Sequence, residues 1–205
     1  MFRQFTCIGA LAVISTIAAA KGPVGIGKLE IGMSQEAVQS LKPEDGAYLS
    51  TPMTPYVSKY SAPKPGEDKF DAQLTSPLSD TPLKAVLTFS AGALKSLYIS
   101  FGESSAIHDR AKELITSKYG EAAIDNSMKE EQCVYKNGSN FKISSGTIKH
   151  KWVQERPGQE SVTADLSDIV INSCPADLRY ASGAIKLKSM SIGVTEAPKK
   201  VVNPF

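Results

Sequence analysis

Two histidines, three cysteines and a few neighbouring acids are the residues of this 205-residue chain whose side chains could do chemistry. His108 and His150 lie far apart, with no H-x-H, no H-x-x-x-H and no cysteine at ligand spacing, so neither belongs to a metal-binding motif. Surface or partly packed side chains are the expectation for both. Glu130-Glu131 and Asp165 with Asp168 are the closest acid pairs. Glycoside hydrolysis needs two carboxylates across a cleft, about 5–10 Å apart, which adjacency in sequence does not supply. Solvated strand faces are the plainer reading. An envelope-polymer hydrolase that gathers Asp165, Asp168 or Glu131 with His150 stands as the enzymatic alternative. No G-x-S-x-G elbow is present, and Ser145-Gly146 and Ser182-Gly183 read as turns. Gly25-Ile26-Gly27 lacks the third glycine and the βαβ setting of a phosphate-binding loop. No catalytic residue, metal or cofactor is therefore assigned, and the expectation is a protein that is not an enzyme.

Charge narrows the partners. Lys plus Arg number 23 against 21 Asp plus Glu, and the basic residues are 19 Lys to 4 Arg. That balance carries no electrostatic footprint for nucleic acid. Lys142, Lys149, Lys151 and Trp152 could form a basic aromatic patch. Alternating lysines on an exposed strand, or lysines that protect a sheet edge, explain the same residues more simply.

The first twenty residues resemble an export signal. Arg3 supplies the positive start, Ile8 to Ile17 an uncharged apolar run, and Ala18-Ala19-Ala20 the small residues of a cleavage site. The run is too short for a membrane anchor, which needs about twenty apolar residues. Cys7 lies at its start rather than after it, so no lipid attachment is expected. Cleavage before Lys21 would leave 185 residues with 22 basic and 21 acidic side chains. Only Cys133 and Cys174 would remain. An even cysteine count in an oxidising compartment predicts a disulfide between them. Closing that loop would stabilise the fold by roughly 4 kcal/mol on a chain-entropy argument.

The elements that must position these side chains follow from pattern. A short strand over Ile26–Ile31 leads to Ser34, an N-cap for a helix of about two turns with Val38 and Leu41 inward, stopped near Lys42 by Pro43. Residues 43–82 hold seven of the twelve prolines and read as loop-rich, interrupted by a strand through Phe70, Ala72 and Leu74. Tyr48, Tyr56 and Tyr60 sit within it; they offer recognition area, or they pin an irregular loop to the sheet. A hairpin follows, with Ala85, Leu87 and Phe89 facing Leu97, Ile99 and Phe101 across Ala91-Gly92 and a bulge between Leu94 and Leu97. Ser104 or Ser105 caps a second helix with Ile107, Ala111, Leu114, Ile115 and Tyr119 on one face, ended by Gly120. Strands are then expected at 132–136, 140–144, 147–154, 162–166, 169–173 and 185–194, with turns at Asn137-Gly138, Gly146 and Pro157-Gly158. The fold class is α+β: two short helices packed on an antiparallel meander. It forms a single domain over 21–195, with a flexible tail over 196–205.

Ile31-Gly32-Met33-Ser34 with Val38 and Leu41, Leu87-Thr88-Phe89 with Gly92, Leu94 and Leu97, then Leu114 with Lys118-Tyr119-Gly120 and the lone Trp152, together resemble small exported bacterial proteins of the SmpA/OmlA and β-lactamase-inhibitor-protein group. The resemblance covers spaced pieces of residues 24–153. It implies short helices on an antiparallel sheet and a role in binding: support of outer-membrane assembly, or inhibition of an enzyme. The chain lacks the lipobox of the lipoprotein members, and the proline-rich segment is a further departure. A helix-then-sheet order occurs twice, but side-chain identity between the halves does not establish a repeat. The expectation is a non-catalytic, periplasmic or secreted protein that binds another envelope or secreted protein, without nucleic acid and without a stable membrane anchor. Tyr48, Tyr56, Tyr60 and Trp152 are the candidate contact residues. An inhibitor or immunity protein against a secreted enzyme is the alternative within binding.

Overall fold

The computed structural model describes residues 22–58, 64–156, 160–175 and 183–195. The expected signal segment, Tyr60, the Pro157-Gly158 turn and the tail lie outside the described residues. Gly22 and Pro23 are already buried. Gly22 runs so close to Gln154 that a Cβ there would meet its backbone nitrogen at 2.8 Å.

Strands β1 (Gly25–Ile26) and β2 (Leu29–Glu30) form a small ribbon where one strand was expected. Helix α1 is Gln35–Gln39, shorter than expected, and its N-cap Ser34 accepts from the Ala37 amide as anticipated. A 3-10 turn at Pro43–Asp45 replaces further helix, because proline can open a turn but not continue the helix.

The proline-rich segment is more regular than its composition suggested. It contains β3 (Tyr48–Leu49), β4 (Thr54–Pro55), the ten-residue β5 (Glu67–Ser76) and the start of β6 (Ser79–Ser90). Pro82 lies in β6 before Ala85, the first residue at which β6 pairs with the next strand. That strand, β7 (Ala93–Gly102), joins β6 through Ala91-Gly92, both at positive φ, as a tight hairpin turn requires. Thr88 pairs with Ser96 and Phe89 with Leu94, leaving Lys95 as the extra residue of the expected bulge.

Helix α2 (Ser105–Tyr119) is capped by Ser104 and followed by Gly120 at positive φ. Of the expected inward face, Ala111 and Ile115 are in the core and Ile107 and Tyr119 pack against it, whereas Leu114 is exposed and His108 is buried in addition. Next come β8 (Ala123–Asn126) and β9 (Lys129–Val134), and then a single β10 (Asn140–Gln154) where two strands were expected. Gly146 is therefore not a turn. It has φ +137°, and a Cβ there would lie 2.5 Å from the Ser127 carbonyl oxygen, so glycine lets β10 pass the break between β8 and β9. The two strands expected at 162–166 and 169–173 are likewise one, β11 (Ser161–Ile171), and β12 is Ile185–Thr195.

These strands build a ten-stranded antiparallel sheet in the order β3-β5-β6-β7-β12-β11-β10-β8, with β4 added to β5 and β9 to β10. It is two meanders joined by α2 rather than one. Each half runs helix then strands, and the last strand of each, β7 and β12, meet at the centre. The core lies on one side of the sheet. Ala72, Leu87, Leu97, Ile192, Ala164 and Trp152 belong to it, together with Val38 of α1 and Ala111 and Ile115 of α2. The cluster is continuous across both halves, so the fold is α+β but dominated by its sheet.

Candidate functional site

Strand alternation assigns every side chain to the core face or to the opposite face, and five of the exposed large apolar side chains lie on the opposite face. Along one row, Lys151 pairs with Asp165, Asp165 with Ser191, Ser191 with Tyr98 and Tyr98 with Val86. Tyr98 stands near the central β7–β12 junction and is 43% exposed. Asp165 lies 3.7 Å from Lys149, while its other carboxylate oxygen, Oδ1, is buried without a hydrogen-bond partner. Thr163 and Thr195 share a hydrogen bond on the same face.

Towards the far end of β11 and β12 the hydrophobic phase reverses. Val162, Ala164 and Leu166 face the core, whereas Ile169 and Ile171 face the other way. Their partners in β12 match: Met190 and Ile192 face the core, while Leu187 and Ile185 oppose Ile169 and Ile171. Ile171, Ile185 and Leu187 are exposed. With Tyr98 and Val153 they place five large exposed apolar side chains on the face opposite the core.

The disulfide lies beside this end. Cys133 of β9 and Cys174, just after β11, are bridged with Cα atoms 5.5 Å apart. Tyr135 stacks on Phe141 and donates from its hydroxyl to the Pro175 carbonyl at 2.9 Å. The bridge thus ties the β9–β10 arm to the segment leaving β11.

The candidate contact residues do not form one surface. Tyr48 is half-buried, with its β3 position paired to Thr75 of β5, and Tyr56 is exposed just after β4. Trp152 is 4% exposed on the core face, donating from Nε1 to the Gly120 carbonyl at 2.8 Å. Its role is to hold the end of α2 on the sheet, so it does not contribute to an exposed contact surface. The suggested basic aromatic patch is divided accordingly: Lys149 and Lys151 point away from the core, and Lys142 pairs with Glu130 at 3.0 Å on the arm.

The residues of the enzymatic alternative are also separated. Asp165 faces away from the core, His150 faces into it, and Glu131 belongs to the exposed β9–β10 arm. Asp168 is engaged by Lys188, whose ammonium donates to Oδ2 across β11 and β12. Both histidines, expected at or near the surface, are buried instead: His108 is 6% and His150 7% exposed, their rings 6.4 Å apart. Burial lowers the pKa of His150, Lys112 and His108 lower it further, and Glu121 opposes them.

Among the described residues no group of three His, Cys, Asp or Glu side chains could hold a metal ion, and no helix is long and apolar enough to cross a membrane. Expecting β11 as two strands hid the change of face that places Ile169 and Ile171 opposite the core, whereas Ile185 and Leu187 lie in β12, which was expected as one strand over 185–194. Tyr98 carried no signal beyond its place in the hairpin. No protein-family model matches the chain, and neither a curated protein nor a solved structure matches it.

Proposed function

We propose that this is a non-catalytic, exported protein that binds another envelope or secreted protein through the sheet face opposite its core. The observation that carries this reading is the exposure of Tyr98, Val153, Ile171, Ile185 and Leu187 on that face. Large apolar side chains gathered on one surface and interspersed with polar ones mark protein interfaces, and tyrosine is a frequent anchor. The signal-like N-terminus and the Cys133–Cys174 bridge support a periplasmic or secreted location, where disulfides persist. The resemblance to the SmpA/OmlA and β-lactamase-inhibitor-protein group supports binding over catalysis. Envelope assembly or maintenance is the leading role within it, and inhibition of a secreted enzyme is the other. Loss of activity by a soluble enzyme partner would distinguish the second.

The experiment is affinity purification of the exported form from envelope extracts, beside Tyr98→Ala, Leu187→Asp and, as a control on exposed α2 surface, Leu114→Asp. A stoichiometric partner retained by the control and lost from the other two is the expected result. Truncating a central aromatic anchor should weaken binding by about thirtyfold, corresponding to about 2 kcal/mol. Recovery of no partner under several salt conditions, or equal recovery with all three variants, would count against the reading.

A further inference from the structure

The two histidines of the chain come from different elements, and the fold buries them against each other between α2 and β10. His108 lies in the first turn of α2. Its Nδ1 is 3.2 Å from Asp109 Oδ1, and its Nε2 is buried with no hydrogen-bond partner. His150 projects from β10 between Ile148 and Trp152, with Leu166 of β11 opposite it on one side and Ile124 of β8 on the other. Its ring lies 6.4 Å from that of Trp152. Thr116 Oγ1, two turns along α2 from His108, is buried without a partner as well.

We propose that His150, buried against His108, is an acid-sensitive latch, holding α2 on the sheet while its ring is neutral and releasing it when the ring takes up a proton. The proposal does not rest on the binding reading. Three physical terms favour the neutral pair. Two imidazolium rings at this separation repel, burial removes the water that would solvate either charge, and a cation in the first turn of a helix opposes the helix dipole. The charged groups around the pair do not offset these terms fully. On α2, Asp109 stands beside His108 with its side chain 75% exposed to solvent, while Lys112 repels a proton from His150. Glu121, just before β8, attracts weakly. Asp168 of β11, which pairs with Ile148 two residues along β10 from His150, is engaged by Lys188 of β12.

The sign follows from linkage. His150 is held below its ordinary value in the folded protein, so the opened form binds more protons as pH falls below about 6.5. Closure of α2 is thus fully present above that pH and lost on acidification. Each proton taken up on opening changes the closed-to-open ratio by up to tenfold per pH unit. The depressed carboxyl groups act in a different window. Asp45, hydrogen-bonded by Lys28, and Glu67, hydrogen-bonded by Lys95, lie below the usual carboxylate range, so their contributions persist until pH falls towards about 4 and are lost below it.

The test is hydrogen exchange and fluorescence on the purified protein with its disulfide intact, from pH 7.5 to 5.0. Trp152 is the only tryptophan and is hydrogen-bonded at the end of α2, so its emission reports the contact. The expected result is that protection factors of α2 amides fall before those of β6, β7 and β12, with a red shift of Trp152 emission, and that His150→Gln and His108→Gln flatten both changes. Simultaneous loss of protection in helix and sheet, or no change over this range, would overturn the proposal. So would an unchanged acid response in both variants. If neither variant folds, the order of exchange in the wild-type protein decides alone.

Discussion

At the scale of single residues, the cysteines were the most legible feature. Pairing needs only an even count, an oxidising compartment and a fold that brings the two within reach, and the Cα separation of 5.5 Å meets the last condition. The protein should therefore resist thiol alkylation until it is reduced. Reduction should destabilise it by about 4 kcal/mol, read from denaturant midpoints, and any larger loss would include the Tyr135 anchoring to Pro175. Gly146 was recognised as a special position but given the wrong task. Glycine is demanded both by hairpin turns and by close backbone passage, and sequence does not separate the two. Gly146→Ala meets both a positive φ and the Ser127 carbonyl, and should cost more than Gly138→Ala, whose φ is +84° but whose Cβ would meet open space. The second should lose about 1 kcal/mol in thermal or chemical unfolding, and the first about 3 kcal/mol. Equal losses would show that the close passage is not important to stability.

At the scale of elements, periodicity identified the β6–β7 hairpin and α2 because each is organised by contacts within a short stretch of chain. It failed where the pattern changes phase inside one element. In β11 the apolar residues switch faces around Asp168, so a uniform alternation breaks and each half resembles a separate element, while β12, which switches around Lys188, reads as one strand over 185–194. The switch places a lysine, 8% exposed, next to an aspartate between two apolar regions. Asp168→Asn removes the counter-charge and should destabilise by about 2 kcal/mol, between the values for exposed and fully buried pairs. Lys188→Met, which removes the charge but keeps the length of the side chain, should cost less than Asp168→Asn. Urea unfolding of the two single variants and the double variant measures this directly, and additive losses in the double variant would show that the pair is not coupled.

At the scale of the whole molecule, the sheet has one face committed to the core and another that carries Tyr98, Val153, Ile171, Ile185 and Leu187 in contact with solvent. Binding variants on that face should leave stability nearly unchanged while partner recovery falls. Tyr98→Ala and Leu187→Asp are expected to shift the unfolding midpoint by no more than about 1 kcal/mol, because neither side chain belongs to the core cluster. A large stability loss would mean that the face supports the fold rather than a partner.

The amino-acid sequence by itself determined the caps, tight turns, strand-forming runs and the pair of cysteines, since these depend on backbone preferences and chemistry acting over a few residues. Only the tertiary structure decided that β7 lies beside β12, that α2 joins two meanders, and that His108 meets His150. Pairing between distant strands is selected by how completely their apolar faces can be buried together, a property of all the strands at once. The same collective choice leaves the opposite face exposed, which is why the candidate binding surface emerged from the sheet rather than from any motif.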